Sequence, residues 1–143
     1  MKKDLILVLV VVGVMVFGSF ILNKNKKTYT FKIGETIMRV GIANTDEERL
    51  KGLSGKESLK EGEGLLFIFE TEGLYGFWMK DMKFAIDIAW IDKDNKIIYI
   101  ENDVRPETYP KVFQPLLQSL YVLEAPSGFL SKNNIKIGDF VAF

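Results

Sequence analysis

Phe84–Ile91 and Ile97–Glu101 constrain the fold more than any other part of this chain. Phe84, Ile86, Ile88 and Trp90 alternate with Ala85, Asp87, Ala89 and Ile91. That period of two points successive side chains to opposite faces of a strand. Asp94-Asn95, between the two stretches, tolerates positive φ and predicts a two-residue turn. The resulting register sets Trp90 opposite Tyr99, and Asp87 opposite Asn102. With no β-α-β rhythm around it, this hairpin directs the chain towards an antiparallel or mixed sheet.

The rest of the chain supplies short elements of the same kind. Tyr29, Phe31 and Ile33 alternate with polar residues, and Met38, Val40 and Ile42 do so after Gly34-Glu35. The spacing predicts an opening hairpin with glycine first in a type II′ turn. Asn44–Leu53 predicts a helix: Thr45 and Glu48 form a capping box, Asp46 and Glu47 suit the positive end, and Gly52 closes it. Leu65–Phe69 is a continuous apolar run, as in a strand buried on both faces. Val104–Leu120 holds three of the four prolines and reads as a long ordered loop, either lining a binding surface or covering a sheet edge. Leu120–Glu124 predicts a strand stopped by Pro126, and Ser127–Asn134 one or two helical turns. Ile135–Phe143 predicts a last strand turning through Gly138-Asp139. Seven or eight short strands and one or two short helices predict a mainly β (α+β) domain, a small antiparallel or mixed β-barrel.

Composition limits the chemistry. The 143 residues suit one domain, and 13% aromatic residues suffice for a compact core. Nineteen basic residues balance nineteen acidic ones, which leaves no electrostatic footprint for nucleic acid. The chain has no Cys and no His. Disulfides, thiolate sites, histidine metal sites and Ser-His or Cys-His nucleophiles are therefore excluded. Asp92-Lys93-Asp94-Asn95 begins like a calcium loop, but Ile97 and Asp103 stand where that loop needs Gly and Glu. The sequence calls for no metal and no cofactor.

Leu5–Leu22 is an uncharged run that as a helix would reach about 27 Å, close to the hydrocarbon thickness of a bilayer. It exceeds the apolar core of an ordinary signal peptide and lacks an A-x-A pattern. The expectation is a single N-terminal transmembrane helix with a short linker over residues 1–27, and a β domain over residues 28–143. The domain would lie outside the cytoplasm; the alternative is secretion after signal cleavage.

Candidate site residues cluster around the mid-chain hairpin. Asp87 stands between Ala85 and Ala89, which leave space around its carboxylate; an acid in that position needs a cation or several donors. Its role is either a fold-fixing pair or backbone clamp, or ligand recognition. Trp78 and Met79 suit an apolar pocket wall with Lys80 at its lip. Arg49, on the predicted helix, suits pairing with Asp87 or Glu124. The expectation is that Trp78, Lys80 and Asp87 line one pocket, with Glu124 and Arg49 as outer partners.

Several of these stretches together resemble the DUF192 family (also called UPF0127). The resemblance runs from about Met38 to Val141 through Glu48-Arg49, Gly52-Leu53, Gly64-Leu65-Leu66-Phe67 and Phe77-Trp78-Met79-Lys80. It continues through Ile86-Asp87-Ile88, Trp90-Ile91-Asp92, Tyr121-Val122-Leu123-Glu124, Pro126, Gly128 and Gly138-Asp139. This chain departs from the family pattern at Asp81-Met82, Ala85 and Ser54. The resemblance implies a small β-rich domain, often exported or membrane-tethered, and implies no activity.

Three function classes follow. The first is a membrane-tethered extracytoplasmic domain that binds a small polar ligand or peptide. The second is a carboxylate-based hydrolase of glycosidase type, using Asp87 with Glu101, Asp103 or Glu124 across an open cleft. The third is an accessory subunit of a membrane protein assembly. No catalytic residue is singled out.

Overall fold

The computed structural model describes residues 27–143. Seven strands form one sheet in the order β5-β4-β6-β3-β2-β1-β7. They are β1 (Tyr29–Ile33), β2 (Thr36–Ala43), β3 (Glu63–Gly73), β4 (Ile86–Ile91), β5 (Ile97–Val104), β6 (Ser119–Pro126) and β7 (Val141–Ala142). Two short helices, α1 (Asp46–Lys51) and α2 (Phe129–Lys132), and a 3-10 turn at Pro106–Thr108 complete the described elements. Among the described strands only β2 and β3 pair in parallel, with α1 and its following loop as their connection; the other pairings are antiparallel.

The sheet curls into a half-barrel, which corrects the expected barrel. Its two edges touch only where β5 begins: Lys96 bridges Phe140, Ile97 N–H donates to the Asp139 carbonyl at 2.9 Å, and Val141 N–H to the Asn95 carbonyl at 2.9 Å. The expected final strand over Ile135–Phe143 shrinks to two residues because Gly138, at φ 98°, turns the chain across that gap. The expected N-terminal transmembrane helix, Leu5–Leu22, lies outside the described residues. Among the described residues no helix is long and apolar enough to cross a membrane. The reading of a membrane-anchored, extracytoplasmic domain with the membrane as a partner is therefore withdrawn.

Both faces of the sheet carry a buried core, although β1 and the start of β2 expose one face. One face carries Phe31, Met38, Val40, Leu66, Ala89 and Leu123, with Phe129 and Leu130 of α2 packed onto it. The other carries Leu65, Phe67, Ile86, Ile88, Trp90 and Val122, covered by Met79, Phe113 and Leu53 from the connections. Double burial explains why every residue of β4 is buried, although its alternation resembles a half-exposed strand.

Local signals act as their chemistry predicts. Thr45 and Glu48 close the capping box: Glu48 N–H donates to Thr45 Oγ1 at 3.2 Å, and Thr45 N–H to Glu48 Oε2 at 3.4 Å. Gly52 then ends α1 after six residues, at φ 50° and ψ −131°, a conformation reserved for glycine. Asp92 Oδ1 accepts the N–H groups of Asp94 and Lys96 at 3.0 and 2.9 Å and locks the turn with Asn95 at φ 61°. Trp90 pairs with Tyr99. The Asp87–Asn102 pairing does not form. A bulge between the Ile86↔Val104 and Ile88↔Glu101 pairs, with Asp103 at φ 51°, brings the Asp103 N–H to Asp87 instead.

Candidate functional site

On the Trp90 face, the strap after β3 and the loop before β6 are stitched together. Phe77 and Phe113 exchange both backbone hydrogen bonds, at 2.9 and 2.8 Å. Gln114 Nε2 donates to the Leu74 carbonyl at 2.9 Å, and Trp90 Nε1 to the Tyr75 carbonyl at 2.8 Å. The strap thus holds Tyr75, Phe77 and Trp78 above β3. Together with Phe67 and Phe69 they wall a pocket of about 290 Å³. Its aromatic rings support one another: Phe67 and Phe77 meet edge to face at 4.8 Å, and Phe69 stacks on Tyr75 at 3.4 Å.

Glu124 of β6 also lines this pocket and is only 5% exposed. Its register neighbours are Leu65 on β3 and Ile88 on β4, which offer neither a cation nor a donor. Its Oε2 is buried and has no hydrogen-bond partner among the described residues. Burial alone pushes its carboxyl up to about 8, so at neutral pH the group is mostly protonated and can both donate and accept a hydrogen bond. At the rim, the Arg49 guanidinium lies 5.3 Å from the centre of the Phe69 ring. Its NH1 donates to the Asn44 and Ile68 carbonyls at 2.8 and 2.7 Å, and its NH2 to Asp46 at 2.6 Å. The fork ties α1 to β3 and does not reach Glu124.

Asp87 is elsewhere. It is 0% exposed and lies on the face that α2 covers. Its Oδ1 accepts the N–H groups of Asp103 and Gly128 at 3.0 and 3.1 Å, and its Oδ2 that of Leu130 at 3.0 Å. Gly128 and Leu130 belong to the first turn of α2, so Asp87 caps a helix whose own N-cap glycine has no side chain to do so. Nearby, Ser127 Oγ donates to Asp103, and Arg105 grips the same carboxylate. Those bonds, that of Ser127 first, hold Asp103 below the usual carboxylate range.

Arg49, Trp78 and Glu124 of the expected residues therefore share the pocket, and Met79, Lys80 and Asp87 do not line it. Met79, a residue of the strap itself, is buried. Lys80 is exposed, with its ammonium 5.8 Å from the Trp78 ring centre and its carbonyl accepting from Ser54 Oγ at 2.9 Å. Even alternation gave no account of the separation of Asp87 from Glu124. The wall residues Phe67, Phe69, Tyr75 and Phe77 are not among the expected site residues; the sequence signal for them is the Phe67/Phe69 alternation ahead of an aromatic strap.

The hydrolase reading falls on this geometry. Asp87 is sealed by three backbone donors, faces no cleft, and sits on the opposite side of the sheet from Glu124. Among the described residues, no group of three or more acidic side chains is placed to hold a metal ion. The tethered-binder and assembly-subunit readings both rested on the anchor, which no described residue supplies.

Solved structures that share the fold include two proteins. One is a protein from Sinorhizobium meliloti 1021 proposed to be a transcription regulator. It is similar with TM-score 0.77 and 20% identity, over 82% of this chain and 94% of that one. The other is a protein of unknown function from Novosphingobium aromaticivorans DSM 12444, with TM-score 0.79 and 24% identity, over 85% of this chain and 89% of that one. No curated protein matches. The family model for DUF192, described as "Uncharacterized ACR", matches residues 29–143.

Proposed function

We propose that this chain, which belongs to the DUF192 family, is a binding domain for a small, largely apolar or aromatic molecule that presents one hydrogen-bonding group to Glu124. The observation that carries this reading is the unpartnered Oε2 of Glu124 in an aromatic-walled pocket. A buried polar atom without a partner is rare in folded proteins and costs stability, so its retention favours a partner supplied from outside. Phe67, Phe69, Tyr75, Phe77 and Trp78 offer faces and edges to a flat apolar body, and a neutral carboxyl selects a hydroxyl, amide or ring nitrogen rather than a charge. The volume suits a ligand at the small end of the usual range of about 300–1,000 Å³.

Ligand-detected NMR with indole, 1-naphthol and benzamide tests the reading on the full chain. Wild type should bind at least one probe. Glu124→Gln, which keeps a donor and an acceptor, should retain binding, and Glu124→Leu should lose it. Absence of binding by every probe, or equal binding by wild type and Glu124→Leu, overturns the proposal.

A further inference from the structure

Beyond the aromatic pocket, we propose a second site, for a small multiply charged anion, in the cleft between β2 and the loop that joins α1 to β3. The cleft measures about 700 Å³ and is lined by Arg39, Lys51, Ser54, Lys56 and Glu63 among others. Three cations reach it from three different elements: Arg39 from β2, Lys51 from the last turn of α1, and Lys56 from the loop. Among the described residues, none of these three side chains has an ion pair or hydrogen-bond partner.

The nearby acids are engaged elsewhere, which is what leaves the cleft positive. Glu57 pairs with Lys83 and Glu61 with Lys132. Glu63 lines the cleft beside Arg39, its register partner, and accepts the Lys60 N–H at 3.3 Å. Three cations against one carboxylate make a local surplus in a chain whose nineteen basic and nineteen acidic residues cancel.

The cleft has room because glycines line it. Gly41, Gly52 and Gly55 are among its lining residues and carry no side chain to occupy it. A multivalent oxyanion, whether a phosphate group or a polycarboxylate, fits this donor set. Arg39 offers a planar fork, and the two lysines offer mobile point charges. The site shares the wall Lys51–Ser54 with the aromatic pocket but uses none of its aromatic residues.

Calorimetric titration of the full chain with inorganic pyrophosphate and, separately, citrate tests the assignment. At least one anion should bind, and more weakly at high salt. The triple variant Arg39→Gln, Lys51→Gln, Lys56→Gln should weaken binding by about tenfold or more while unfolding at the wild-type temperature, because it removes exposed, unpaired charges. Preference for pyrophosphate assigns phosphate chemistry, and preference for citrate assigns carboxylate chemistry. Glu124→Leu should leave anion binding unchanged, which separates failure here from failure of the pocket reading. No binding of either anion, or a triple variant that binds within twofold of wild type, overturns the proposal.

Discussion

Asp87 and Glu124 lie on neighbouring antiparallel strands one register step apart, Asp87 opposite Ala125 and Glu124 opposite Ile88, yet on opposite faces of the sheet. One carboxylate has three backbone donors and the other oxygen-bearing group has an oxygen with none. The same depth of burial thus produces two different acids. Asp87 spends its acceptors on the fold. Glu124 lines the pocket with one oxygen unpaired among the described residues.

The pH dependence of stability should carry the signature of Glu124. Burial raises its carboxyl from 4.5 to about 8, so the folded chain holds a proton that the unfolded chain releases above roughly pH 4.5. Its contribution is full below that value and falls as pH rises to about 8, by about 1.4 kcal/mol per pH unit across the window. Asp103 and Asp139, both held low, act at the acid end instead. Urea unfolding between pH 5 and 9 should show the decline in wild type and a flatter profile in Glu124→Gln. Equal slopes would contradict the assignment.

Replacing Asp87 should damage the fold. Asp87→Asn sets an amide NH2 against backbone N–H donors and removes the charge, at a cost of roughly 1.5–3 kcal/mol for each charge-assisted bond lost. Thermal unfolding should reveal the loss, and amide exchange should show Gly128 and Leu130 released before the strands. Wild-type stability in this variant would return Asp87 to the functional candidates.

Gly64→Ala should separate β3 from β6 beneath the pocket. A Cβ there would meet the Glu124 carbonyl oxygen at 2.8 Å, with Leu123 and Met38 side-chain carbons at 3.2 Å. The backbone oxygen cannot rotate aside, so the expected destabilisation is about 1–3 kcal/mol. Denaturant midpoints measure it directly.

Arg49→Lys tests the seam between α1 and β3. A lysine cannot hold the Asn44 and Ile68 carbonyls and Asp46 together with one planar fork, and the expected loss is about 1 kcal/mol. Amide exchange should accelerate across Asp46–Lys51 while β4 stays protected. Unchanged exchange in α1 would show that the capping box suffices alone.

How far the sequence reached is clearest along β4. Its alternation, the Asp94-Asn95 turn and the Trp90–Tyr99 pairing, like the Thr45–Glu48 capping box, depend on residues close in the chain, whose chemistry is local. The presence of an acid at Asp87 was legible too, as was the need for donors around it. Which donors arrive was decided by tertiary structure. They come from a bulge at Asp103 and from Gly128 and Leu130, some forty residues away, and no spacing along the chain encodes that meeting. The division of Asp87 from Glu124 has the same origin: each sits on an apolar-flanked strand, and only strand pairing determines which face each one occupies. The aromatic pocket and the cationic cleft likewise exist because α1, its loop and the Gly73–Phe84 strap fold over a sheet already buried on its other side. Short-range patterning specifies elements and turns. Long-range packing specifies which polar groups are satisfied and which are left without a protein partner.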